Sequence, residues 1–197
     1  MRVTIFDYGA GNLHSLETAL ASASAEVIVE ADPCRCVETD VLLLPGVGAF
    51  GQAAACLAPA RDQIRQALRG GLPAIGICLG MQLLFAESEE APGEGLGLIP
   101  GRVTRLRATR VPHIGWNTVD DARDPLLDSA PLSTAYFANG YACRPDSVEH
   151  ATAWTTHEND RFPAIVRVHR TIGMQFHPEK SSRAGRRFLH AALEECC

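Results

Sequence analysis

What this chain lacks narrows it first. No apolar run approaches the ~20 residues that a membrane span requires. No block of basic residues offers a nucleic-acid footprint or a polybasic membrane anchor, and the formal net charge is −5. Zinc-like CxxC pairs are missing: the seven cysteines are odd in number and scattered, with Cys34/Cys36 and Cys196/Cys197 the only close pairs. That argues against a disulfide scaffold and for a reducing, cytoplasmic setting. No secretory leader is expected, because M-R-V-T-I-F at 1–6 enters a strand pattern and reaches Asp7 at once. Internal repeats, low-complexity linkers and a second-domain boundary are also lacking. What remains is 197 residues, 46% hydrophobic and 21% charged, enough for one domain over 1–197 with a substantial core.

The first half alternates strand and helix patterns. Strands are expected over 2–6, 26–30, 40–45 and 72–77, each apolar along its length. Helices are expected over 15–23, where Leu16, Ala19, Leu20 and Ala23 recur at helical spacing, and over about 52–69. Pro59 interrupts the second, leaving 60–69 as its secure part. Such alternation predicts an α/β domain with a mostly parallel central sheet covered by helices on both faces. After about Pro100 the pattern turns to successive strands over 103–107, 112–118, 134–137, 151–155, 164–168 and 171–177, and a closing helix over 183–194. Residues 120–131 read as the most loop-like piece, and the terminal Cys196–Cys197 as a mobile end.

Around G-I-C-L-G-M-Q at 76–82 the chain passes from an apolar strand into the expected first turns of a helix over 81–86. Cys78 sits on the sharp turn between them, with Gly76 two residues before and Gly80 two residues after. This is the G-x-S-x-G nucleophile-elbow design with sulfur in place of oxygen. A thiol at a helix start is favoured as thiolate by the dipole and free N–H groups. Read alone, the same string also suits an inert buried cysteine.

A cysteine nucleophile needs a base, an orienter and oxyanion donors. His177-Pro178-Glu179, at a strand's carboxyl end, offers the first two; in an extended segment residues two apart share a side, so Glu179 can face the imidazole. Gly46-Val47-Gly48 ends another strand, and its glycines allow backbone N–H groups to turn toward one oxygen. The N–H of Leu79 would be the second donor. In a parallel sheet all three strand ends lie on one edge, where sites form. A dinucleotide cradle at Gly9-Ala-Gly11 is disfavoured, because His14 stands where the third glycine should be. No cofactor is called for.

Three strings, G-I-C-L-G-M-Q at 76–82, L-P-G-V-G-A-F at 44–50 and Q-F-H-P-E-K-S at 175–181, resemble the class I (triad) glutamine amidotransferases. With I-F-D-Y-G-A-G-N-L at 5–13 and V-P-H-I-G-W-N at 111–117, the chain looks like the branch that serves imidazole glycerol phosphate synthase in histidine biosynthesis. The resemblance spans about residues 3–190 and implies a flavodoxin-like fold. It implies that Cys78 attacks the side-chain amide of glutamine to give a γ-glutamyl thioester, with His177 as acid and base, Glu179 as its orienter, and Val47 and Leu79 as oxyanion donors. Gln82 and Glu90 match positions that hold the amino-acid end of glutamine, with Glu87 and Glu89 close enough to compete for the second role. The resemblance also implies a (β/α)₈ cyclase partner in a heterodimer, faced by Asn12, Trp116 and Lys180, although Trp116 suits a core position equally. Ammonia would pass to that partner, and no nucleic acid, membrane or metal is involved.

Departures from the family pattern are local. Asn139-Gly140 replaces a usual His-Ser, so Gly140 can keep a backbone contact to glutamine but not a hydroxyl one. T-T-H-E-N at 155–159 replaces a Tyr-Gly turn, and the small polar cluster of His157, Glu158 and Asp160 reads as a solvated loop. Two other readings stay open: the glutaminase of a different synthase, such as a pyridoxal-phosphate or aminobenzoate enzyme, and a non-catalytic binding subunit.

Overall fold

Residues 41–44 are four apolar side chains in a row, and all four are buried. Val41 and Leu43 enter one core, Leu42 and Leu44 the other, as the two-residue period of a strand covered on both faces requires. The computed structural model, which describes residues 1–9, 13–21 and 25–196, builds the whole domain on this principle. Its elements run β1 (Arg2–Phe6), α1 (His14–Leu20), β2 (Glu26–Glu30), β3 (Val41–Leu44), α2 (Phe50–Leu57), α3 (Arg61–Arg69), β4 (Ala74–Ile77) and the one-turn α4 (Leu79–Gln82). There follow β5 (Glu87–Ser88), β6 (Gly101–Arg105), β7 (His113–Thr118), α5 (Leu126–Ser129), β8 (Thr134–Asn139) and β9 (Tyr141–Pro145). The chain closes with β10 (Ala151–His157), β11 (Asp160–Val168), β12 (Thr171–Met174) and α6 (Ser182–Glu195).

The central sheet has seven strands in the order β10-β11-β12-β4-β3-β1-β2. From β12 to β2 every neighbour is parallel, and β11 and β10 add an antiparallel margin. Helices α1 and α6 cover one face through Leu16, Leu20, Phe188 and Leu189, and α2 and α3 cover the other through Phe50, Leu57, Ile64 and Leu68. Two small sheets stand beside it, β5-β6-β9 and the β7-β8 hairpin. The expected mostly parallel α/β domain with added strands in its second half is what the chain forms. No described helix is long and apolar enough to cross a membrane.

Four local expectations are corrected. The helix after Cys78 stops at Gln82 instead of running to 86, because the carbonyls of Leu83, Leu84 and Ala86 accept from Leu96, Leu98 and Gly95. Those acceptors are then not free for further helical turns. Residues 87–88, for which no strand was expected, pair with β6 as a short strand. Strand β9, unmarked by any turn signal after Gly140, is added through its antiparallel pairing with β6. The loop-like stretch 120–131 contains the single turn α5. The break at Pro59 is real: a 3₁₀ turn over Ala58–Ala60 separates α2 from α3.

Candidate active site

Strands β3, β4 and β12 are adjacent and parallel, so their carboxyl ends deliver Gly46, Cys78 and His177 to one place. Cys78 holds φ 47° and ψ −101°, a left-handed conformation that costs a side-chain-bearing residue and marks a strained elbow. Its N–H donates to the Met174 carbonyl at 2.7 Å, tying the elbow to β12. Both flanking glycines are needed for space. A Cβ on Gly76 would lie 2.7 Å from the Gly80 carbonyl oxygen, and one on Gly80 would overlap the Leu44 carbonyl. Gly46 fits between the reactive pair: a Cβ there would come within 2.9 Å of His177 Cε1 and 3.0 Å of Cys78 Cβ.

His177 is 4% exposed, and its Nδ1 is 2.8 Å from Glu179 Oε1. Donation from Nδ1 to that carboxylate leaves Nε2 as the nitrogen able to exchange a proton with sulfur. The route to this contact differs from the expected one. Residues Pro178–Lys180 form a 3₁₀ turn, not an extended segment, and it is the turn that folds Glu179 back onto the ring. Burial opposes charge on His177, but the Cys78 sulfur, by its negative charge and hydrogen bond, and then Glu179 outweigh it and push the imidazole up to about 10. The second carboxylate oxygen, Oε2 of Glu179, is buried with no hydrogen-bond partner among the described residues.

Two residues supporting this arrangement carried no sequence assignment. Ser181 is fully buried; its hydroxyl donates to the His177 carbonyl at 2.6 Å and accepts from the Tyr136 N–H at 2.8 Å. Gln175, also fully buried, donates from Nε2 to Cys78 Sγ at 3.5 Å. Their signal was faint: polar residues in an otherwise apolar strand and turn around His177.

The remaining expected residues are distributed as follows. Val47 is half-buried on the loop that leaves β3, followed by Gly48 at φ 97°. Leu79 is the first residue of α4, so its N–H has no acceptor within the helix. Of the three acidic candidates, Glu90 alone reaches that loop: its Oε2 accepts from Phe50 N–H at 2.8 Å, where the loop enters α2. Glu89 instead accepts from Arg105 N–H on β6, and Glu87 is exposed. Gln82 is 5% exposed, and its Nε2 donates to the Tyr141 carbonyl at 3.3 Å. At Gly140 a Cβ would meet nothing closer than 3.7 Å, so packing there does not demand glycine.

Trp116 is 55% exposed and Ile114 65% exposed, alternate residues on one face of β7, so the core reading of Trp116 does not hold. The indole meets the Tyr136 ring edge-on at 6.3 Å, and Tyr136 O accepts from His177 N–H at 2.8 Å. Lys180 is exposed beside Glu179. Asn12 lies outside the described residues. The loop at 157–160 is not simply solvated: His157 stacks on His113 at 4.2 Å, Glu158 accepts from the Thr109 and Arg110 N–H groups, and Asp160 is buried against Arg144.

A strained cysteine, a histidine beside it and a carboxylate bonded to that histidine lie on one edge of a parallel sheet, an arrangement suited to nucleophilic acyl transfer. The family model "Glutamine amidotransferase class-I" matches residues 4–195. Among solved structures, the structure of PurLQS from Thermotoga maritima shares the fold, with a TM-score of 0.76 at 17% identity over 98% of this chain and 97% of that one. Within the class, the imidazole glycerol phosphate synthase subunit HisH of Symbiobacterium thermophilum is 47% identical over 95% of this chain and 91% of its own. The HisH subunit of Halobacterium salinarum is 43% identical over 98% of this chain and 93% of its own. The chain therefore belongs to the class I glutamine amidotransferases and, among them, to the HisH family.

Proposed function

We propose that this chain is the glutaminase subunit of an imidazole glycerol phosphate synthase, releasing ammonia from glutamine for a (β/α)₈ cyclase partner in histidine biosynthesis. The observation that carries the reading is the buried His177, its Nδ1 2.8 Å from Glu179 Oε1, brought beside Cys78 by the adjacent parallel strands. Cys78 loses its proton to His177 Nε2, and the sulfur attacks the side-chain carbonyl carbon of glutamine. The N–H groups of Val47 and Leu79 hold the oxyanion, each such donor being worth about 3 kcal/mol of barrier. His177 returns the proton to the departing nitrogen, ammonia leaves, and a γ-glutamyl thioester remains. A water deprotonated by His177 then attacks the thioester, giving glutamate and the free thiol.

Gln82, Glu90 and Gly140 hold the amino-acid end of the substrate in this reading. The bond between Glu90 and Phe50 N–H favours it, because one carboxylate oxygen anchors the loop and the other can take the substrate ammonium. The partner docks as a heterodimer in the cytoplasm, with the exposed Trp116 and Lys180 among its contacts and Asn12 assigned to the same role from the family resemblance alone. Lys180 is the only lysine of the chain, every other formal side-chain cation being arginine. Its strongly hydrated point charge differs in kind from the planar guanidinium. Idle glutaminase activity in the absence of partner would follow if the peptide at Val47 turned to complete the oxyanion hole only on docking. The test is glutamine-dependent formation of imidazole glycerol phosphate with and without a cyclase, together with labelling of Cys78 by a glutamine-like electrophile. Product should form only with both subunits, and labelling should vanish in Cys78→Ala; an unlabelled wild-type Cys78 would overturn the reading.

A further inference from the structure

Gln175 is polar, fully buried and placed where an apolar strand ends, two residues before His177. Its backbone N–H donates to the Ala164 carbonyl at 2.9 Å. Its side chain lies between two residues of the site. The Nε2 group is 3.5 Å from Cys78 Sγ, and the Oε1 atom is 3.5 Å from Gln82 Nε2.

Donor and acceptor logic fixes which way both amides point. The Tyr141 carbonyl can only accept, so the end of Gln82 facing it at 3.3 Å is its NH₂. The same NH₂ has a second proton, and the Gln175 atom facing it must therefore be the carbonyl oxygen. Once Oε1 is committed there, the NH₂ of Gln175 faces the cysteine sulfur. The orientation of a donor at the nucleophile is thus traced back to a backbone carbonyl on β9.

We propose that Gln175 is the side-chain donor that holds and aims the Cys78 sulfur as a thiolate, and that Gln82 positions the Gln175 amide for this task. The inference rests on the reading of Cys78 as the nucleophile. The sulfur also has the Ala138 carbonyl at 3.9 Å, an acceptor that can receive an S–H but repels a bare sulfur anion. The Gln175 N–H does the reverse, and its bond strengthens when the proton moves to His177. After attack the charge passes from sulfur to the substrate oxygen, and the Gln175 bond weakens again. Its contribution therefore lies in preparing the nucleophile.

The experiment is alkylation of the full chain by iodoacetamide from about pH 5 to about pH 10, with Cys78 followed by mass spectrometry and Cys34 and Cys56 as internal references. In Gln175→Met, which keeps the length and loses the donor, the Cys78 midpoint should rise by about one pH unit, roughly tenfold less thiolate near neutrality. Gln82→Met should raise it less and in the same direction. The references should not move. A strut between β12 and β9 would change the thermal midpoint and leave the alkylation midpoint alone, so an unchanged alkylation midpoint in folded Gln175→Met overturns the proposal. Should that variant fail to fold, Gln82→Met decides, and an unchanged midpoint there overturns it equally. Wild-type labelling by the glutamine-like electrophile separates the two failures: without it the glutaminase reading falls, and with it only the role of Gln175 does.

Discussion

Two of the buried acid–cation pairs in this domain serve opposite ends. Asp124 has a fully buried side chain and accepts from Arg167 Nε at 3.0 Å and Nη2 at 2.7 Å, from Thr152 Oγ1 at 2.8 Å and from Leu126 N–H at 3.1 Å. Burial alone would push its carboxyl up, yet these donors hold it below the usual carboxylate range. Arg167 is further pinned by Glu195 at 2.9 Å, so the network joins β11 to α6 with its charges answered. Among the described residues Glu179 has one side-chain partner, His177, and one buried oxygen with none. A fully satisfied pair is a fastener; an under-satisfied one leaves an imidazole whose proton affinity depends on the state of a nearby sulfur.

The comparison can be broken most severely at Arg167. Arg167→Met strands the Asp124 charge in the interior and should cost about 3–5 kcal/mol, lowering Tm by roughly 10 °C for a domain of this size. Glutamine turnover per folded molecule should be unchanged, as thermal melts and steady-state kinetics with the partner would show. Glu179→Gln should do the converse. Turnover should fall roughly 10²–10⁴-fold, because the imidazole loses its orienting anion. Tm should move little, because the carboxylate was only half satisfied; a large loss of stability with full activity would invert the roles assigned to the two pairs.

The smallest effects are expected in pH dependence, and they have opposite signs. His177, raised to about 10, contributes stability that is complete below its ordinary value of about 6.5 and is lost as pH rises toward 10. Asp124, lowered, contributes stability present above the ordinary carboxylate range and lost as pH falls through its folded value. Tm measured against pH should therefore show the gap between wild type and His177→Asn closing on the alkaline side. The gap between wild type and Arg167→Met should close on the acid side, and a common trend in the two would refute the contrast.

The legible parts of the site were those written in consecutive residues. Gly76, Cys78 and Gly80 announced the elbow because its clashes are local, and each glycine proves to face backbone that a Cβ would strike. His177 and Glu179 were legible as a pair, although the 3₁₀ turn that joins them was not, since a proline after a strand suits either an extended exit or a turn. Ser181 and Gln175 went unassigned because their partners, Tyr136 and Cys78, lie 45 and 97 residues away along the chain. For Trp116 the strand was legible, but a period of two does not say which face meets the core.

By itself, then, the sequence determined the strand and helix segments of the first half, the sharp turn at Cys78 and the candidates for nucleophile, base and orienter. Those follow from short-range sterics and from side-chain chemistry. Only the tertiary structure decided that β12 lies parallel to β4 at the centre of the sheet, that α4 ends after one turn, and that the Gln82 and Gln175 amides point as they do. Each of these depends on which distant backbone group arrives to take a hydrogen bond. That is settled by strand order and packing, which no local stretch of chain contains.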